Sequence, residues 1–201
     1  IRGSYALGGT TGYLVDMLEK GCFERLLDVQ CFDLKAIASL RDNPRHIEIS
    51  ASQYAGPKSK SCAAEGLDVV LLGATQIDTH FNVNVHTDSN GRIMGGAGAH
   101  PDAAACAKLT IIVAPLSRAR LPIVVDRVLT TSTPGSSIDV LVTQAGIAVN
   151  PAREDLVERF TSAKLPIVSI ESLRDLAERM CGCPRPAVLS DRVVGEVIYR
   201  D

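Results

Sequence analysis

Two unbroken apolar runs, Val69 to Leu72 and Leu109 to Ala114, are the clearest elements of the chain. Short runs without polar alternation predict strands covered on both faces, as in a parallel sheet. Before them, Ser4 to Gly12 reads as a glycine- and threonine-rich loop. Gly12 to Lys20 predicts a helix with Tyr13, Leu14, Met17 and Leu18 on one apolar face, capped by Thr10 or Thr11 and ended by Gly21. Leu26 to Cys31 predicts a strand. Asp33 then caps a predicted helix reaching about Arg41, ahead of Asn43-Pro44. His46 to Ser50 alternates apolar and polar positions and predicts a further strand. Gly56 to Gly66 is a polar loop carrying Lys58 and Lys60.

Beyond the second run, Ile123 to Thr130 and Val140 to Thr143 predict strands, with Thr133-Pro134-Gly135 as the break between them. Gln144-Ala145-Gly146 turns the chain into Ile147 to Asn150, a predicted hairpin. Pro151 to Ala163 predicts a helix with Leu156, Val157 and Phe160 inward. Ile167 to Ile170 predicts a short strand, and Ser172 to Met180 a helix with Ser169 or Glu171 near its cap. Val188 to Tyr199 predicts an edge strand. The alternation gives one α/β domain over residues 1–201, with a mainly parallel or mixed central sheet flanked by helices. Eight βα units do not fit in 201 residues, so a helix-flanked central sheet with an antiparallel patch is favoured over a TIM barrel.

Between the two apolar runs lies the segment with most chemical content. Asn82 to Thr87 and Arg92 to Met94 read as extended pieces joined by the turn signal Ser89-Asn90-Gly91. The chain then enters Gly95-Gly96-Ala97-Gly98-Ala99-His100, followed by a small-residue helix. Strand, glycine loop, helix and strand is an arrangement that presents backbone N–H groups to an anionic or oxyanionic ligand. Asn82, Asn84, His86 and Asp88 alternate and so share one strand face, and core packing does not account for them. They line a site or form a solvated face.

Composition narrows the function classes. Net charge is −2 with no basic block, which argues against a nucleic-acid surface. No apolar run approaches the roughly 18–20 residues of a membrane span, and no secretory signal is visible. Trp is absent and aromatics make up 4%, so an aromatic-lined sugar or base-stacking site is disfavoured. Cys22, Cys31, Cys62 and Cys106 sit among apolar or small residues and read as buried, reduced thiols in a cytoplasmic compartment. Cys181 and Cys183 are too close for an ordinary disulfide. No second Cys/His pair matches their spacing, so no metal is expected. The chain starts at Ile1 and is expected to begin inside a longer polypeptide.

Six motifs together resemble the citrate lyase alpha subunit family, citrate:acetyl-ACP transferases of the CoA-transferase superfamily. They are GGTTGYLVDML (Gly8 to Leu18), LLDVQCFDLKAI (Leu26 to Ile37), EISASQYA (Glu48 to Ala55), LGATQIDTHFNVNVHTDSNG (Leu72 to Gly91), GGAGAHPDAAACAKL (Gly95 to Leu109) and VLVTQAGIAVNPAR (Val140 to Arg153). The resemblance implies a CoA-transferase-like α/β fold of the NagB/RpiA/CoA-transferase type, and that this chain is the C-terminal half of two related halves. It implies transfer of a carrier thiol from an acetyl thioester to citrate, giving citryl thioester and acetate. The thiol belongs to CoA or to the CoA-like prosthetic group of an acyl carrier protein, and no cofactor is tightly bound. Implied partners are the acyl carrier protein, citryl lyase subunits, the N-terminal half and further copies of the chain in a homo-oligomer.

The resemblance also implies site residues. Gly96, Ala97, Gly98 and Ala99 align with the family's oxyanion-binding glycine loop. Ala99 stands where glycine is common, so either its backbone is ordinary or the loop is rearranged. Asp33 matches the region of a Glu nucleophile in many CoA-transferases; it acts chemically or only caps its helix. Asn82, Asn84, His86, Asp88, His100, Ser52 and Gln53 are the candidate substrate contacts. His46 and His80 read as surface residues. Gly8 to Thr11 either binds a carboxylate or phosphate at a helix N-terminus or simply caps it. Lys58 and Lys60 form a solvated loop or meet an acidic carrier protein. Three readings stay open: a transferase half, a non-catalytic ligand-binding or assembly domain on the same fold, and, more weakly, a sugar-phosphate isomerase. The last lacks the Lys and acidic residues it needs around Gly95 to His100.

Overall fold

The computed structural model describes residues 2–56, 58–59, 61–183, 188 and 190–193. Where the sequence predicts one domain, the chain groups into two compact units, Ile1–Leu67 and Asp68–Asp201. The first unit carries a parallel sheet and the second mixed sheets.

In the first unit β1 (Gly3–Thr10), β2 (Phe23–Cys31) and β3 (His46–Glu48) form a parallel sheet in the order β1-β2-β3. The expected loop at Ser4 to Gly12 is therefore largely strand β1. Its glycine content is a poor strand signal, but pairing along the length of β2 overrides it. The crossover is α1 (Gly12–Glu19). Gly21 adopts φ +71, and the N–H groups of Gly21 and Cys22 close onto Leu18 and Met17, a Schellman ending that favours glycine. Val15 and Leu18 are buried, whereas Tyr13 is 83% exposed and Met17 43%. The packed stripe thus lies about one position from the predicted one, over Phe23 and Leu26. The connection from β2 to β3 is α2 (Leu34–Asp42), and β3 leads to α3 (Ala51–Ala55).

In the second unit a four-stranded sheet has the order β12-β11-β7-β4: Gly146–Val149, Val140–Thr143, Leu109–Val113 and Val69–Leu72. β4, β7 and β11 are parallel, and β11–β12 is the predicted hairpin. The prediction that the apolar runs are covered on both faces is not met, because Val69, Leu71 and Val113 are exposed. The face carrying Ile112 and Leu141 packs inward, against Ile77, Phe81, Leu116, Ile138 and Leu173. A smaller sheet joins β10 (Val124–Val125), β5 (Gln76–Asp78) and β6 (Val83–Asn84). The expected strand from Ile123 to Thr130 is shortened to β10. β8 (Ser117–Arg118) and β9 (Leu121–Pro122) form a two-residue-loop hairpin.

Two helices close the described chain, α5 (Glu154–Ser162) and α6 (Ile170–Cys181), after α4 (His100–Cys106) earlier on. In α5 Leu156 is buried, but Val157 is exposed. Ser169 caps α6 by accepting from the Ser172 N–H, so the strand predicted to Ile170 reduces to one bridge between Ile147 and Ile167. The predicted edge strand at Val188 to Tyr199 falls largely outside the described residues. None of the described cysteines is in a disulfide. Cys62 is buried, whereas Cys22, Cys31 and Cys106 are only half-buried.

Candidate active site

The glycine loop lies between the β5–β6 region and α4. Gly95, Gly96 and Gly98 are exposed, and a Cβ at any of them would meet nothing within 4 Å. Gly98 has φ +56, the left-handed region that side chains disfavour. Ala99 has φ −84 and ψ 11, so its departure from glycine costs no strain. No acceptor among the described residues takes the N–H groups of Gly95, Gly96, Ala97, Gly98 or Ala99; the loop's first turn is closed only by His100 N–H onto the Ala97 carbonyl. Five successive donors on an open surface are thus left unspent.

His100 ties this loop down. Its Nε2 lies 2.9 Å from the Gly73 carbonyl, just past the end of β4, and its Nδ1 lies 2.7 Å from the Thr133 hydroxyl. A carbonyl only accepts, so Nε2 carries the proton and Nδ1 accepts from Thr133. Burial holds the ring's pKa below the usual histidine value, against the opposing effect of the Gly73 carbonyl. His100 is therefore a neutral anchor, placing the glycine loop beside the C-terminal end of a parallel strand, where α/β proteins hold their ligands.

The four polar residues before the loop do not form one solvent-facing row. Asn84 is fully buried and bonded on both sides of its amide. Its Nδ2 donates to Gln76 Oε1 and to the backbone and side chain of Thr87, and its Oδ1 accepts from the His86 and Thr87 N–H groups. Asn82 donates to Asp78 and accepts from the Gly135 N–H. His86 Nδ1 lies 2.6 Å from Ser132 Oγ. Asp88 accepts from the Asn90 and Arg92 N–H groups, and the Arg92 bond leads in holding its carboxyl below the usual range. These residues build the turn that delivers the loop: Thr87 bridges Ile93, and Met94 N–H donates to the His86 carbonyl. The regular alternation is lost because only Val83–Asn84 is strand.

Asp78 is a positioning residue that the sequence alone does not single out. Its carboxylate is buried and collects N–H groups from His80, Asn82 and Val128 together with the Asn82 amide. That network holds Phe81 at φ 63 in the core. The Asp-x-x-x-Asn spacing was its only signal, and it resembles an ordinary turn.

Asp33, Ser52 and Gln53 belong to the first unit. Asp33 Oδ1 accepts from Ala36 N–H at 2.8 Å and caps α2; Oδ2 accepts from Gly12 N–H at 2.7 Å and caps α1. Those two bonds, Gly12 first, hold its carboxyl below the usual range. One carboxylate thus serves two helix N-termini, and the expected Thr11 cap is absent. Such a charge is well stabilised and correspondingly less nucleophilic. Asp33→Asn in the full-length protein is expected to keep turnover within a few-fold, whereas Asp33→Ala lowers the melting temperature. Lost turnover in Asp33→Asn at unchanged melting temperature would instead assign the nucleophile. Gln53 closes a capping box with Ser50, and Ser52 and Gln53 line a shallow cavity with Ile49, Ser59, Ser61 and Ala63. Lys58 is exposed and Lys60 lies outside the described residues. His80 is exposed, as expected, but His46 is buried at 4%. It faces Asp28 and Cys31 on the neighbouring strand; burial, then Asp28, pushes the Cys31 thiol up to about 12. No helix among the described residues is long and apolar enough to cross a membrane.

The family described as citrate lyase, alpha subunit (CitF) matches residues 1–201. The chain belongs to the citrate lyase alpha subunit family. It is 55% identical over its whole length to the citrate lyase alpha chain of Klebsiella pneumoniae and spans 40% of that relative. A protein assigned as the alpha subunit of citrate lyase from Streptococcus mutans, crystallised in complex with citrate, superposes with a TM-score of 0.94 at 45% identity. It covers all of this chain and 39% of its own. A malonate decarboxylase alpha subunit from Acinetobacter baumannii shares the fold alone, with a TM-score of 0.57 at 15% identity, covering 92% of this chain and 46% of its own. The mixed α/β fold is thus common to the citrate lyase and malonate decarboxylase alpha subunits.

Proposed function

We propose that this chain contributes the oxyanion-binding wall of a citrate:acetyl-thioester transferase. The observation that carries the reading is the row of five unspent backbone N–H groups from Gly95 to Ala99, anchored by a neutral His100. Thioester exchange needs donors aimed where charge develops on a carbonyl oxygen, and fixed backbone donors meet that need without reorganisation. A citrate carboxylate attacks the acetyl thioester carbonyl and expels the carrier thiolate, leaving a mixed anhydride. The thiolate then attacks the citryl carbonyl of the anhydride and releases acetate. Each step passes through a tetrahedral oxyanion that the loop would hold. Asp33 keeps its capping role, and the incoming carboxylate acts as the nucleophile directly. Asn84, Asn82 and Asp88 hold the approach to the loop, while His86 is the polar group beside it proposed to meet citrate.

Because the chain spans about 40% of its curated relatives, the test uses the full-length protein with an acetylated acyl carrier protein and citrate. Citryl thioester and acetate are expected in equal amounts. Citrate binding without exchange would favour a non-catalytic ligand-binding domain.

A further inference from the structure

The three strands of the first unit bring together residues far apart in sequence. Strict alternation would point Asp28 and Cys31 to opposite faces of β2. The register with β1 slips here, however: Gly8 pairs with Asp28 but Gly9 with Gln30, so Val29 is bulged out. The bulge swings Cys31 onto the face of Asp28, and Asp28 Oδ1 fastens it by accepting from Gln30 N–H at 2.9 Å. On β3, His46 pairs with Leu26 and lies on that same buried face. Asp28 Oδ2 is 2.8 Å from Cys31 Sγ and 3.4 Å from His46 Nε2, and the three ligand atoms lie within 4.8 Å of one another.

His46 Nε2 is buried and has no hydrogen-bond partner among the described residues, although it points at a carboxylate. Its other ring nitrogen is held by Ser39 Oγ at 3.1 Å, the kind of outer contact that orients a metal-binding imidazole. Thr10, the register partner of Cys31, carries the other buried orphan, its Oγ1.

We propose that Asp28, Cys31 and His46 form a three-ligand site for zinc, with a fourth position open to water. One sulfur, one imidazole nitrogen and one carboxylate oxygen suit zinc and exclude magnesium and calcium, which take oxygen sets. Metal–ligand bonds of about 2.0–2.3 Å at tetrahedral angles place ligand atoms roughly 3.3–3.8 Å apart. The Asp28–His46 pair, at 3.4 Å, already meets that spacing, and the Cys31 side chain moves to complete it. On binding, the Sγ–H proton leaves to solvent and a Zn–S bond takes its place. The metal would clamp β2 to β3 two residues ahead of Asp33. In the sequence only Cys181 and Cys183 stand at a metal-like spacing, because neither the bulge nor the pairing with β3 is visible in ligand spacing.

The test uses the full-length protein with zinc alone and cobalt(II) alone. One zinc per chain is expected to survive gel filtration, and cobalt is expected to give a sulfur-to-metal charge-transfer band. Cys31→Ser and His46→Ala should each weaken zinc binding by at least about 100-fold, while Cys183→Ser leaves it unchanged. In the unmutated protein zinc should slow alkylation of Cys31 but not of Cys22, a reading that does not depend on any variant folding. No stoichiometric uptake, uptake lost in Cys183→Ser instead, or Cys31 alkylated equally fast with and without zinc overturns the proposal.

Discussion

Gly98→Val in the full-length protein is expected to abolish citrate-dependent thioester exchange and leave the fold largely intact. Nothing lies within 4 Å of a Cβ built at this position, so the branch point of the new side chain stands in open space. The cost to folding is that of holding a residue at φ +56, about 1–2 kcal/mol and somewhat more for a β-branched one. What the new side chain does occupy is the open space in front of the loop N–H groups, where a thioester carbonyl must approach. Loss of one such donor elsewhere costs about 10²–10³ in rate, and blocking several should cost at least that. Gly98→Ala should fall between the two. Melting curves and initial rates on the same preparations decide the matter; wild-type rates for the valine variant reject the loop as the reaction centre.

Asn84→Ala acts through stability instead. Asn84 is fully buried, and its amide satisfies Gln76 and Thr87 as well as the N–H groups of His86 and Thr87. Truncation orphans several buried partners at about 1–3 kcal/mol each, so a loss of about 3 kcal/mol is expected in denaturant unfolding. Asn84→Asp keeps the acceptor but sets a carboxylate against the Gln76 and Thr87 oxygens, and should also destabilise. Unchanged unfolding midpoints for both variants would show that this network carries no weight.

The sequence determined the repeating strand–helix order, the hairpin at Val140 to Val149, the Asp33 cap of α2, the Gly21 stop and the position of the glycine loop. Each of these is a local property: a period of hydrophobicity, a capping side chain, a residue free to take positive φ. It did not determine that glycine-rich Gly3–Thr10 is a strand, because its partner β2 supplies the reason. Nor did it reveal that Val69, Leu71 and Val113 face outward, since an apolar run reads alike whether one face or two are covered. The candidate site was legible to the same extent. Gly95 to His100 stood out, whereas only the folded chain showed Asn84 to be an internal bracket, Asp78 the hub of the turn before it, and His100 a neutral tether between Gly73 and Thr133. His46 marks the limit most clearly. Its neighbours in sequence suggest a surface residue, but a single-residue bulge in β2 and the parallel register of β3 bury it against Asp28 and Cys31. Pairing across strands depends on contacts between distant residues, and no local pattern encodes it.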